Sequence, residues 1–109
     1  MTEPLWWIVV AYLVGTVVLV DLAQAVDDAE AAGWAQDMIG LLLLQRNDLA
    51  GAQAFLEEAL RQSDVAGARL LAGQTHGHIG MLRLRQSDIE VAARHVDLCV
   101  TITRAFGDW

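Results

Sequence analysis

From residue 5 to residue 20 the chain reads LWWIVVAYLVGTVVLV, sixteen consecutive positions without a charged side chain. The run lacks the strict alternation of a half-buried strand, although several of its residues are β-branched, and this favours helix. Sixteen helical residues cover roughly 24 Å, and continuing through Asp21 to Val26 extends the segment to about 33 Å. That length predicts a tilted single membrane span, with Asp21 toward one end, Trp6 and Trp7 at the interface, and Trp6, Trp7 and Tyr12 as the membrane contacts. Two other readings compete. The triplet Ala23-Gln24-Ala25 has the form of a signal-peptide cleavage site, but residues 1–4 contain no basic group. Alternatively, the run is a buried helix of a soluble bundle.

The pattern changes after residue 20. Residues 21–32 are acidic and alanine-rich and extend the first helix, with Gly33 as its expected stop. From there the chain repeats itself. Residues 39–49, IGLLLLQRNDL, align with residues 79–89, IGMLRLRQSDI, at a constant offset of forty. Periods of this length signify arrays of helix pairs. Asn47-Asp48 and Ser87-Asp88 supply N-cap chemistry for the second helix of each pair, with Ser87 and Glu90 at capping-box spacing. Ser63-Asp64 is expected to cap a helix running from Val65 to Gln86. Apolar stripes follow at Leu56, Ala59 and Leu60, and at Val96, Cys99 and Val100. The resulting division is an anchor helix with its acidic extension over residues 1–32 and a repeat domain over residues 33–109.

These residues resemble the tetratricopeptide repeat (TPR) family over residues 34–107, about two thirds of the chain. Gly40 and Gly80 match the family's first-helix glycine, and Asn47-Asp48 and Ser87-Asp88 stand at its turn. Ala52, Ala92, Ala59 and Cys99 match its small positions. The sequence departs from the family at Gln36 and His76, where a tryptophan is usual, and at Asp64, where a proline closes the repeat. The resemblance implies an all-α fold: the apolar, transmembrane helix followed by two TPR-like hairpins in a short right-handed solenoid. It also implies a peptide-binding concave face lined by Trp34, Asp37, Leu41, Leu44 and Gln45 and by Gln74, Gly77, Met81, Leu84 and Arg85. Trp34, Leu41, Leu44, Met81, Leu84 and Arg85 are the expected docking residues, suited to an apolar or amphipathic helix. The opposing possibility is that these side chains pack against the protein's own first helix.

Two repeats are fewer than the three or so that normally bury a continuous core. The N-terminal helix is expected to supply the missing layer, and residues 107–109 an uncapped end open to a partner or to self-association.

Charge narrows the function classes. Fourteen carboxylates face seven arginines and no lysine, for a formal net charge of −7. That balance argues against nucleic acid, and the lysine-poor composition suggests a GC-rich bacterial genome. Residues 1–45 hold six acids and no arginine, whereas all seven arginines lie beyond residue 45. His95 and Cys99 share a helix face, but His76 and His78 diverge, so no metal and no cofactor are expected. Glu57 and Arg61 have the spacing of a surface ion pair. There is no phosphate-binding loop, activated nucleophile or carboxylate pair, which argues against an enzyme.

The sequence therefore predicts a membrane-anchored adaptor, an accessory or scaffolding subunit of a larger membrane complex, with its repeat domain on the extracytoplasmic side. The alternative is a soluble regulatory module, whose first helix is core and whose groove binds a peptide.

Overall fold

The computed structural model describes residues 4–25 and 28–106, and Glu3, Asp27 and the stretch 107–109 with Trp109 lie outside the described residues. Five helices account for the described residues, with no strand among them: α1 (Pro4–Ala25), α2 (Ala29–Gln45), α3 (Leu49–Ala66), α4 (Arg69–Arg85) and α5 (Ile89–Phe106). The forty-residue period is realised in the helix ends. α4 begins and ends forty residues after α2, and α5 forty after α3.

The turns repeat as well, and local chemistry explains them. Asn47 and Ser87 adopt left-handed backbone (φ 67° and 62°). This lets the Asp48 N–H donate to the Leu43 carbonyl at 2.8 Å and the Asp88 N–H to that of Arg83 at 2.9 Å. Both bonds satisfy carbonyls that a helix end leaves unpaired. Asp48 then caps α3 by accepting from the Gly51 N–H, and Asp88 caps α5 by accepting from Val91. The cap of α5 is thus Asp88, and the expected Ser87–Glu90 box is replaced because Ser87 is committed to the turn.

Two helix boundaries differ from the sequence reading. Ser63 and Asp64 do not start a helix; they lie in the last turn of α3, where the Ser63 hydroxyl donates to the Leu60 carbonyl. Gly67 ends α3 at φ 65°, and the Ala68 N–H closes the turn onto the Ser63 carbonyl. Gly33 does not stop a helix either. It is buried inside α2, where a Cβ would stand 2.5 Å from Leu71 Cδ2 and 3.1 Å from Gln62 Cβ. The missing side chain is what lets α2 pack this closely. The cap of α2 is Asp28, which accepts from the Ala31 N–H. On α3, Arg61 pairs with Glu58 rather than Glu57, and the guanidinium holds the Glu58 carboxyl below its usual pKa.

The core lies between the two hairpins. Leu44 of α2 and Ala52 and Leu56 of α3 meet Ile79 and Leu82 of α4, with Leu41, Leu43, Leu49 and Leu60 half-buried around them. α4 thus covers the apolar face that the first hairpin presents.

α1 lies against α2 and contributes no residue to the buried apolar set among the described residues. Val9, Val10, Leu13 and Val20 are half-buried, while Leu5, Ile8, Val14, Val17 and Leu19 are exposed. Trp6 and Trp7 stack on one another at 5.2 Å, both exposed, as is Tyr12. The expected single-pass membrane localisation is corrected: among the described residues no helix is long and apolar enough to cross a membrane. Asp21 ends the charge-free stretch after roughly 24 Å of helix, short of a hydrocarbon layer of roughly 30 Å. The expected extracytoplasmic placement falls with it.

Candidate functional site

The second hairpin exposes what the first one buries. Gly80, Met81 and Leu84 of α4, with Ile89, Ala92, Ala93 and Val96 of α5, line an open groove of about 300 Å³. Its lining carries no charge, hydroxyl or amide, so apolar contact is the chemistry it offers. The position-by-position correspondence at forty residues is informative. Met81, Leu84, Ile89, Ala92 and Val96 answer to Leu41, Leu44, Leu49, Ala52 and Leu56. In the first hairpin those residues form or border the core beneath Ile79 and Leu82 of α4. In the second, no described residue takes the place of α4, and Leu84 is 60% exposed where Leu44 is 0%. A solvent-facing patch rich in Leu, Ile, Val and Met marks an interaction surface.

The six expected docking residues divide accordingly. Met81 and Leu84 line the open groove. Leu44 is fully buried and Leu41 half-buried, so both belong to the interior. Trp34 sits half-buried near the other end of α2, its indole N–H donating to Glu30 at 3.5 Å. Arg85 donates from Nη1 to the Leu44 carbonyl at 2.7 Å, tying α4 to the end of α2.

Beside the core runs a polar seam that the sequence reading did not contain. Asp37 is 0% exposed, and its Oδ1 accepts from the Thr75 hydroxyl at 2.9 Å. His78 Nδ1 lies 2.9 Å from the same oxygen, while Oδ2 is buried without a hydrogen-bond partner. Thr75 and His78 stand 38 and 41 positions after Asp37, close to one repeat length, so the first helices of the two hairpins are stitched together here. That near-coincidence with the period was the available signal.

His76 and His95 form a second link, between α4 and α5. Their Nδ1 atoms are 2.9 Å apart and their rings stack at 5.1 Å, so one ring donates and the other accepts. Burial holds His76 below its usual pKa, and His95 adds to the effect; burial, then Arg83 and Arg94, lower His95. His95 also borders a cavity of about 160 Å³ with Gln53, Glu57 and Arg83. Because both rings titrate below 6.5 when folded, protonation favours the unfolded chain. The stability of the neutral pair is whole above pH 6.5 and is lost as pH falls from there through the lower folded pKa values. Thermal melts between pH 7.5 and 5.5 should show a steeper decline for the wild type than for a His76→Gln/His95→Gln variant. Parallel declines would remove the pair from the pH response.

Cys99 packs against Gly77, where a Cβ would lie 3.1 Å from its Sγ. Among the described residues no three His, Cys, Asp or Glu side chains are grouped to hold a metal ion. No known protein family, curated protein or solved structure matches the chain.

Proposed function

We propose that the chain is a protein-interaction module, an adaptor of the TPR-like helix-hairpin type, which seats an apolar helix in the groove between α4 and α5. One observation carries the reading. The chain already places a helix, α4, on the equivalent face of its own first hairpin, and the second hairpin repeats that face without an occupant among the described residues. The forty-residue recurrence of helix bounds and turns supports the hairpin-repeat interpretation. Ala93, small and exposed, leaves room for an incoming backbone, and Met81 adapts to different side chains. Binding by helix insertion into a groove draws its affinity from a few buried apolar anchors.

A labelled peptide copying Arg69–Arg85 tests this, because it is the segment that fills the equivalent place one repeat earlier. Fluorescence anisotropy should show saturable binding to the full chain, weakened at least about tenfold by Leu84→Asp. Equal binding to wild type and variant, or none to either, would remove the groove as the docking site.

A further inference from the structure

Resting on that reading of the groove, we infer that its occupant is α1 of a second copy, so that copies join head to tail. The described residues leave two apolar surfaces unpartnered, and they differ in shape. One is the concave groove on α4 and α5. The other is α1, a convex helix that α2 covers on one side only. A helix apolar all round is stable in water only when its remaining sides are buried.

The spacing of the two helices agrees. α4 covers the first hairpin through Leu71, Thr75, Ile79 and Leu82, all buried, at positions i, i+4, i+8 and i+11. On α1 the exposed Ile8, Tyr12 and Leu19 answer to the first, second and fourth of these, while Thr16, already buried, stands at the third. α1 therefore offers a partner three of the four positions by which α4 covers the first hairpin.

Charge outside the groove favours one direction of the pairing. Among the described residues up to 45 the exposed charges are Asp21, Asp28 and Glu30 with no arginine, whereas over residues 69–106 the exposed Arg69, Arg85, Arg94 and Arg104 outnumber Asp88, Glu90 and Asp97. Opposite signs favour the N-terminal end of one copy against the α4–α5 end of the next, and like signs disfavour the reverse pairings. Because the two patches are different, the contact is heterologous. It extends into open chains of subunits unless the rotation closes a ring.

Light scattering coupled to size exclusion on the full chain tests this across a concentration series. The wild type should exceed the 11.9 kDa monomer mass, with the excess growing as concentration rises. An α1 variant, Ile8→Glu/Leu19→Glu, and a groove variant, Leu84→Asp, should each be monomeric alone. Mixed, they retain one intact α1 and one intact groove between them, and should form a 1:1 dimer that goes no further. Ile89→Asp, at the exposed first turn of α5, serves as a second groove variant, with circular dichroism confirming the helices of each. A monomeric wild type, association that survives the groove variants, or a mixture that yields no dimer would each overturn the inference. Peptide binding alongside a monomeric wild type would sink self-association alone and leave the docking groove standing.

Discussion

Leu44→Asp is expected to unfold the protein, while Leu84→Asp, the identical change one repeat later, leaves its helices and its melting cooperativity intact. Leu44 is fully buried among Ala52, Leu56, Ile79 and Leu82. Truncating such a leucine costs about 2–5 kcal/mol in lost transfer and cavity terms. An aspartate adds the penalty of an unpaired carboxylate in apolar surroundings, about 2–7 kcal/mol even after it neutralises. The sum rivals the entire stability of a small domain, about 5–15 kcal/mol. Leu84 is already largely in water, and a carboxylate there loses little hydration. Circular dichroism melts of the two variants decide the matter. Equal damage from both would mean that the second hairpin's face is covered after all.

The second large effect belongs to Asp37. Removing its carboxylate with Asp37→Ala leaves the Thr75 hydroxyl and His78 Nδ1 without their shared acceptor in a buried seam. Orphaned buried polar groups cost about 1–3 kcal/mol each. The variant should therefore lose about 2–4 kcal/mol, a large part of which is the separation of α2 from α4. Thr75→Val removes one hydrogen bond while keeping the shape, and should lose only about 1 kcal/mol. Urea denaturation gives both numbers. A neutral Asp37→Ala would show that the burial cost of the carboxylate already cancels what its partners contribute.

The repeat was legible because it is a property of sequence alone. Residues 39–49 and 79–89 predicted the paired hairpins, and the turns at Asn47 and Ser87 lie where the alignment put them. What failed was local chemistry with two meanings. Glycine serves equally as a helix stop and as a contact point between helices, and only the approach of Leu71 and Gln62 identifies Gly33 as the latter. Ser63-Asp64 looks like a cap, yet Gly67, with its left-handed backbone, is where α3 can end.

The functional residues were partly legible for a related reason. Periodicity marks Leu44 and Leu84 as equivalent, but only tertiary packing reveals that one is interior and the other open. A sequence stripe cannot say which copy of a repeated face has been covered. His76 and His95, nineteen positions apart on successive helices, carry no shared motif and emerge only from the packing of α4 on α5. The apolar opening run was conspicuous, but its charge-free length stops at Asp21, and the structure leaves most of it facing outward.

Under the proposed function the α4–α5 groove is an unfilled copy of a seat the chain fills elsewhere. Methyl-resolved NMR during titration with the Arg69–Arg85 peptide tests it most directly. The methyl signals of Met81, Leu84, Ile89 and Val96 should shift together and saturate, while those of the core residues Leu44, Leu56 and Ile79 stay in place. Shifts scattered over α1 and the core, or a silent groove at saturating peptide, would contradict it.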